Sequence, residues 1–392
     1  MAEEATGRVP SWLFFADDWG RHPSSCQHLA RRLLGRHRVL WVNTIGMRPP
    51  RLNAATLARG LEKVRQWAGR DRHPGADPAE SAPAPTVINP KMWPWFRSPL
   101  DRRLNRRLLL GQLGPRVAAL PGPPVAVTTL PIVADLVGRL PAARWIYYCV
   151  DDFGQWPGLD QGPLRRMEAE LVRRADVVIA VSEALRARLA GLGRDAHLLT
   201  HGVDLGHWAA AGDGPPMPAL DALPRPRSLF WGVIDRRMDP ACLERLAAEI
   251  PGGSIVLVGP ESDPDPALSR IPGVVRLPPV PYAELPGVAR RADVLIMPYA
   301  DLPVTRAIQP LKLKEYLATG RPVVARDLPA IRAWADCLDL ADSAEAFARA
   351  VRLRWREGLP VHQEAARARL GAEGWDSKAR DFRRWCLGEE AL

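Results

Sequence analysis

The sequence predicts an α/β protein made of two doubly wound domains that face a central cleft. Short apolar runs alternate with amphipathic stretches along the whole chain, a pattern typical of parallel sheets covered by helices. The length of 392 residues exceeds the size at which one hydrophobic core usually keeps growing. Residues 209–227 are rich in proline, glycine and alanine and show no periodicity, so we interpret them as a linker between the domains.

The first domain, residues 1–208, contains six apolar runs bounded by turn residues. These runs predict strands at 11–15, 38–42, 124–128, 145–149, 176–181 and 197–200. Amphipathic stretches at 25–34 and 163–174 predict helices between them. Ser182 follows a predicted strand, where its hydroxyl suits the N-cap of a helix over 183–190. The low-complexity composition of 68–85 predicts a mobile loop.

The second domain, residues 228–375, repeats this alternation. Strands are predicted at 228–231, 254–258, 274–277, 294–297 and 322–325, and helices at 240–248, 282–290, 311–318, 343–357 and 363–386. Doubly wound domains place their ligands beyond the carboxyl ends of the strands. We therefore look for functional residues in the loops that follow strands.

The composition is that of an ordinary globular protein with an excess of basic residues. The formal net charge of +10 favours an acidic partner, although it also matches the composition of a GC-rich genome. No nucleic-acid-binding module is legible, so we expect no nucleic acid partner. The start of the chain lacks the pattern of a signal peptide, no apolar run approaches the ~20 residues of a membrane span, and the five cysteines are scattered. These features predict a cytoplasmic protein with reduced thiols.

The clearest candidate site lies in "QPLKLKEYLATGRPVVA", residues 309–325. Lys312 and Glu315 are three positions apart, so both project from one face of the first helical turn. A lysine near a helix N-terminus suits a diphosphate, and a carboxylate one turn further on can accept hydrogen bonds from ribose hydroxyls. The alternative is an ordinary surface Lys–Glu pair.

This segment, together with the preceding "ADVLIMPY", resembles the donor-domain signature of GT-B fold glycosyltransferases of the large retaining family 4 and its glucuronosyltransferase-like relatives. The segments "RADVVIAVSEAL", "LLTHGVD", "LFWGVID" and "SIVLVGP" follow the order of that family, and the resemblance runs from about Trp12 to Trp375. It implies Rossmann-like domains, a final helix in 376–392 that crosses back to the first domain, and a glycosyltransferase that needs no cofactor. A nucleotide-sugar epimerase of the same fold and a non-catalytic nucleotide-sugar-binding protein are the alternatives.

The resemblance also implies roles for single residues on the donor side. Glu315 would bind the ribose and Lys312 the diphosphate, while Gly232 would let the backbone approach the ligand. The remaining donor-binding candidates are Arg236 and Arg237 for the phosphates, Val280 and Tyr282 for the base, and Gln309.

One family feature is missing. Retaining enzymes of family 4 carry an earlier glutamate at the position that Ala307 occupies here, which leaves Arg306, Gln309 or Asp301 to contact the sugar and leaves the stereochemistry open. The Asp-Pro-Asp at 263–265 lies in a proline-rich loop without the context of a metal site, so we expect no metal.

A predicted strand ends on Asp151 and Asp152, either of which is placed to act as the general base. The alternative is a local turn or cap built by the two carboxylates. The loop after the first strand resembles the acceptor pocket of GT-B relatives, with the candidates Asp18, Trp19, His22 and Ser24.

The segment 91–111 mixes aromatic residues with clustered arginines, a combination that suits a membrane surface and a lipid-linked saccharide acceptor. A solvated helix that packs its leucines on the sheet is an equal alternative. The candidate membrane contacts are Trp93, Trp95, Phe96, Arg102, Arg103, Arg106 and Arg107.

Overall fold

The computed structural model describes residues 9–20, 24–43, 83–156, 159–209, 214–307 and 309–389. The described residues fall into two compact units. The first unit lies within residues 1–22, 30–147 and 153–177, and the second within residues 23–29, 148–152 and 178–392. Among the described residues, no helix is long and apolar enough to cross a membrane.

The first sheet has seven strands in the order β3-β2-β1-β4-β5-β6-β7. Strand β1 is completely buried and pairs in parallel with β2 and β4, so its continuous apolar run "WLFFA" fits a strand covered on both faces. The strands are β1 Trp12–Ala16, β2 Val39–Asn43, β3 Thr86–Ile88, β4 Val125–Thr128, β5 Arg144–Cys149, β6 Val177–Ala180 and β7 His197–Leu198.

The second sheet has six strands in the order β12-β10-β8-β13-β14-β15, again with parallel pairing. Counted within this sheet, the order is 3-2-1-4-5-6, that of a Rossmann fold. The strands are β8 Arg227–Trp231, β10 Ser254–Val258, β12 Val274–Leu277, β13 Val294–Met297, β14 Val323–Arg326 and β15 Asp339–Ala341, and a separate pair is formed by β9 Ile234–Asp235 and β11 Glu261–Ser262.

Helices connect the strands in both sheets. The α-helices are α1 Ser25–Arg31, α2 Pro99–Ala118, α3 Gln161–Arg174, α4 Glu183–Ala190, α5 Leu205–Trp208, α6 Pro218–Asp221, α7 Pro240–Glu249, α8 Leu285–Arg290, α9 Pro303–Ala307, α10 Lys312–Ala318, α11 Ala344–Glu357, α12 Val361–Ala366 and α13 Trp375–Leu387. Short 3₁₀ helices cover Pro131–Leu136, Pro266–Ser269, Tyr282–Glu284, Arg332–Cys337 and Arg367–Glu373.

The predicted strands agree with the observed ones to within a few residues, because apolar runs between turn residues mark buried parallel strands well. The sequence analysis missed β3 and β15, each three residues long and only partly buried, and the two-residue strands β9 and β11. The prediction of one helix over 363–386 is wrong: the segment divides into α12, a 3₁₀ helix and α13.

The stretch 209–227 contains helix α6, and Arg227 already belongs to β8. Of the predicted loop at 68–85, positions 68–82 lie outside the described residues. The domain boundaries inferred from the sequence stay predictions. Helix α13 packs Phe382 against Tyr148 and stacks Trp385 on His197.

Candidate active site

The second sheet has a topological switch point between β8 and β13, its first and fourth strands in chain order. The connections that leave these neighbouring strands run to opposite sides of the sheet, which opens a crevice at their carboxyl ends. Gly232 follows β8 directly, and Tyr299 lies two residues after the end of β13. Lys312 and Glu315 come from α10, the second of the two helices between β13 and β14.

Lys312 points to this switch point. Its Nζ donates a hydrogen bond to the Tyr299 hydroxyl at 2.7 Å and lies 4.4 Å from the centroid of the Phe230 ring. Aromatic faces attract a cation through their quadrupole, so the two rings hold the ammonium group in place. Helix α10 has only seven residues, so the charge of Lys312, rather than the dipole of the helix, is the main attraction for an anion.

Gly232 leaves the space that Lys312 occupies. Its φ is +137°, and a Cβ atom built on it would lie 2.9 Å from Lys312 Cε, too close for a real contact. The Gly232 amide donates to the Val258 carbonyl at 2.9 Å. Behind it, a Cβ on Gly259 would overlap the Gly232 carbonyl group. The absence of two side chains thus lets the lysine approach the backbone.

Glu315 lies one turn further along α10 and is only 7% exposed. Burial raises the pKa of Glu315 to about 7, against the opposing effects of the Lys312 charge and the neighbouring Trp231. The next residue, Tyr316, fixes this turn to the sheet, since its hydroxyl accepts a hydrogen bond from the Trp231 amide at 2.9 Å. Gly232, Lys312 and Glu315 therefore form one group, which we call the donor cluster.

The two arginines after β9, Arg236 and Arg237, differ in exposure and in their partners. Arg237 binds the Asp235 carboxylate with Nε at 3.0 Å and a terminal nitrogen at 2.8 Å. Burial lowers the pKa of Arg237, but Asp235, Tyr299 and Asp151 together raise it above its usual value. Arg236 is half exposed and lies 3.6 Å from Asp263. Both guanidinium groups already have a carboxylate partner.

The two candidate bases also differ. Asp152 is 2% exposed, and one carboxylate oxygen lies 3.3 Å from Arg188 Nε. Asp151 is partly exposed, and its charge is one of those that raise the pKa of Arg237.

The segment predicted to contact the base has both residues partly buried. The Tyr282 ring stacks on His207 at 4.2 Å and meets Trp208 edge-on at 6.0 Å. Val280 packs against the core of the second sheet.

Gln309 is buried, and its side chain contacts the protein backbone. Its side-chain oxygen accepts a hydrogen bond from the His201 amide at 2.6 Å. Arg306 and Asp301 are the other two residues considered for contact with the sugar in place of the missing family glutamate. They form an ion pair with each other, in which a terminal nitrogen of Arg306 lies 2.7 Å from Asp301 Oδ2. The Ala307 carbonyl accepts a hydrogen bond from Ser182 Oγ at 2.6 Å.

Sequence reasoning missed a buried network below the donor cluster, which we call the lysine–glutamate network. Lys314 pairs with Glu373, and Lys378 contacts the same carboxylate at 2.7 Å. Both lysines also donate to Thr200, at 3.2 and 3.0 Å, and Lys314 donates to the His201 carbonyl. Burial lowers the pKa of Lys314 to about 8 and that of His201 to about 3. Nothing in the sequence links positions 59 residues apart.

The residues predicted to bind the acceptor are placed as follows. Trp19 packs edge-on against Trp41 at 4.8 Å, and its amide donates to Asn43 Oδ1 at 2.9 Å. Asp18 is partly buried beside it. Ser24 accepts a hydrogen bond from the Gln27 amide at 3.3 Å at the start of α1. His22 lies outside the described residues.

Two Rossmann-like domains, with a lysine and a glutamate at the switch point of the second, have the architecture of the GT-B fold. The comparison with protein families agrees. Residues 238–355 match the model of the glycosyl transferases group 1. This part of the second unit is therefore similar to a group 1 glycosyl transferase domain.

A putative teichuronic acid biosynthesis glycosyltransferase of Bacillus subtilis (strain 168) is 29% identical over 174 residues. These residues are 42% of this chain and 44% of that relative, so the match spans less than half of its length. Sucrose-phosphate synthase from Thermosynechococcus elongatus has a similar fold, with a TM-score of 0.67 at 16% identity over 95% of this chain and 98% of that one. HepE of Anabaena, crystallised with UDP-glucose, also has a TM-score of 0.67. It is 13% identical in sequence, and the match covers 96% of this chain and 99% of HepE.

Proposed function

We propose that this protein is a glycosyltransferase that moves a sugar from a nucleoside-diphosphate sugar to an acceptor hydroxyl. The observation that carries the proposal is the donor cluster: the Lys312 ammonium group meets the backbone at Gly232, and Glu315 is buried one turn away. The group 1 glycosyl transferase domain in the same unit supports it.

The donor cluster suits the chemistry of a departing diphosphate. Breaking the bond between the sugar and the diphosphate leaves negative charge on the phosphate oxygens, and a preorganised ammonium group stabilises that charge. Lys312 is held by Tyr299 and Phe230, so little reorganisation is needed when the charge develops. In this proposal Lys312 neutralises the diphosphate without a metal ion or other cofactor, and the Glu315 carboxylate accepts hydrogen bonds from the ribose.

We assign the role of general base to Asp151 rather than Asp152. Asp152 is nearly fully buried and already paired with Arg188. Asp151 is partly exposed, and its charge acts on Arg237. A base must reach the proton that it removes, which favours the accessible carboxylate.

We further propose that the acceptor is a lipid-linked saccharide and that the enzyme works at the cytoplasmic face of a membrane, in the synthesis of a cell-surface polysaccharide. The relative named for teichuronic acid biosynthesis supports the polysaccharide. The exposed Trp93 and the arginines of α2 support a membrane surface.

The test is binding of a panel of nucleotide sugars, which includes UDP-glucose, measured as thermal shift and then by calorimetry. A specific donor raises the melting temperature by mass action. Lys312→Met, which keeps the length of the side chain but not its charge, should weaken binding of that donor about tenfold to a hundredfold, since a charge-assisted contact contributes roughly 1.5–3 kcal/mol.

The control is Lys91→Met, which removes the charge of an exposed lysine in the first unit. Absence of binding to every nucleotide sugar, or equal binding by the two lysine variants, would contradict the proposal. Binding without any transfer to an acceptor would instead favour a non-catalytic nucleotide-sugar-binding protein, and conversion of the donor into an isomer would favour an epimerase.

A further inference from the structure

We propose that an arginine-lined cavity beside helix α2 binds the phosphate of an anionic lipid headgroup while the exposed leucines of α2 lie against the lipid chains. The inference gives the proposed membrane surface a specific site, and to that extent it rests on the proposed function. It depends only on residues of the first unit, none of which belongs to the donor cluster.

The cavity has a volume of about 440 Å³ and lies between the start of α2 and the start of α3. Five of its lining residues are arginines, and one is an aspartate, Asp135. Phe96, Met167 and two prolines supply apolar wall. The arginines are Arg97, Arg102, Arg103, Arg106 and Arg166.

Only part of this positive charge is neutralised by the protein. Arg102 binds both Asp135, at 2.8 Å, and Glu170, and Arg97 pairs with Asp160. Within the described part of the chain, Arg103, Arg106 and Arg166 form neither an ion pair nor a hydrogen bond. Three guanidinium groups around one cavity repel one another, and an anion would relieve that repulsion.

A phosphate is the anion that fits these groups best. The planar guanidinium offers paired N–H donors that match the oxygens of a phosphate, and several such groups can share one phosphate. The partners of Arg102 hold one wall of the cavity rigid, so the site is formed before the ligand arrives.

The adjoining face of α2 is apolar and exposed. Leu100, Leu104 and Leu108 are 77%, 41% and 36% exposed, and their four-residue spacing places them on one side of the helix. Arg103 and Arg107 are exposed along the same edge. Aliphatic residues flanked by arginines are the pattern of a helix that lies in a membrane interface.

The nearby aromatic segment is fixed to this helix. The Asn105 side chain accepts a hydrogen bond from the Trp93 amide at 2.7 Å and donates to the Trp93 and Trp95 carbonyls at 3.0 Å. Trp93 is 41% exposed, and its indole N–H donates to Asp101 at 2.9 Å. An anchored, exposed tryptophan beside the leucines is typical of a membrane–water boundary.

The experiment compares binding of the full chain to phosphatidylcholine vesicles with and without phosphatidylglycerol. The triple variant Arg103→Gln, Arg106→Gln, Arg166→Gln should bind the anionic vesicles about a hundredfold more weakly, since each basic residue near a surface contributes about a factor of five. The matched control is Arg349→Gln, Arg356→Gln, Arg380→Gln, which removes the same charge from exposed positions of the second unit and should bind normally.

A second variant tests the apolar half of the site. Leu100→Ser, Leu104→Ser, Leu108→Ser should lose most vesicle binding and keep its melting temperature, because these side chains are exposed. If the cavity variant and the control variant, each with three arginines replaced, lost vesicle binding equally, the proposal of a specific site would be overturned. Unchanged vesicle binding by the cavity variant would overturn it as well. Binding of inorganic phosphate that vesicles do not displace would assign the cavity to a soluble anion and also overturn the proposal. Calorimetry with UDP-glucose, unaffected by these variants, separates this outcome from a failure of the donor site.

Discussion

Glu315 connects the chemistry of a single carboxylate to the stability of the protein. Its folded-state pKa of about 7 lies above the ordinary value of 4.5, so the folded state holds a proton that the unfolded state has released between these two values. Stability from this group is therefore greatest below pH 4.5 and declines as the pH rises towards 7, by up to about 1.4 kcal/mol per pH unit.

We expect Glu315→Gln to be more stable than the wild type at pH 8 and to lose this advantage towards pH 5. The amide has the shape of the protonated acid and carries no buried charge at either pH. Chemical unfolding of both proteins at the two pH values measures the difference. An equal difference at pH 5 and pH 8 would show that the carboxylate does not titrate in this range.

The two aspartates after β5 should respond differently to the same substitution. Asp151→Asn should abolish sugar transfer and leave both the melting temperature and the binding of the donor nearly unchanged. Asp152→Asn should lower the melting temperature, because it leaves Arg188 beside a buried, uncharged partner. Transfer assays paired with thermal unfolding check both outcomes, and full transfer activity in Asp151→Asn would refute its role as the base.

At the scale of elements, the turn after β8 determines where Lys312 can lie. Gly232→Ala places a methyl group against the lysine side chain at a backbone conformation that only glycine adopts readily. We expect donor binding at least tenfold weaker, roughly the effect of losing one charge-assisted contact. Calorimetry with UDP-glucose measures it.

Gly252→Ala is the control for this turn. Gly252 also has a positive φ, of +80°, but a Cβ atom there would meet nothing within 4 Å. This variant should lose about 1–2 kcal/mol of stability through its backbone alone and bind the donor as the wild type does. Similar losses of binding in both variants would mean that backbone strain, and not contact with Lys312, is responsible.

Elements that the sequence predicts well are those whose burial is set by local pattern. Strands β10 and β13 have the predicted bounds because each is a fully buried apolar run that ends at turn residues. β15 was missed because it is only three residues long, two of which are partly buried, and it includes Asp339. The helix over 363–386 was predicted as continuous because its periodicity continues through the 3₁₀ segment that positions Glu373.

At the scale of the whole molecule, the lysine–glutamate network joins parts of the chain that are far apart in sequence. Glu373 accepts contacts from Lys314 and Lys378, and both lysines reach Thr200. Glu373→Gln would leave two ammonium groups close together with no carboxylate between them. We expect a loss of roughly 3 kcal/mol of stability, the effect of removing one partner from a buried ion pair.

Asp336→Asn provides the comparison for this prediction. This substitution breaks an ion pair in which the side chains of Arg369 and Asp336 are 40% and 54% exposed. It should therefore lower the free energy of unfolding by less than about 1 kcal/mol. Urea unfolding at pH 7 measures both variants. Equal effects would show that the network contributes no more than a surface pair.

The sequence predicted those residues of the candidate site that come in the loops and helices after strands of the second sheet. The switch-point rule leads to Gly232, Lys312 and Glu315 because each follows a strand of one sheet. The same rule could have found Tyr299, which lies just beyond β13 and binds Lys312. It could not have found Glu373, or the contribution of Arg166 to the arginine cavity, since both depend on side-chain packing between elements that are far apart in sequence.

Gly259 lies behind Gly232, and any side chain there would push on the carbonyl of Gly232. In the proposed enzyme, substrate affinity would thus be lost by a change in the turn after β10, which reaches the donor cluster only through the main chain of Gly232. Variants at position 259 would resemble binding-site mutants in an assay while acting entirely through the main chain.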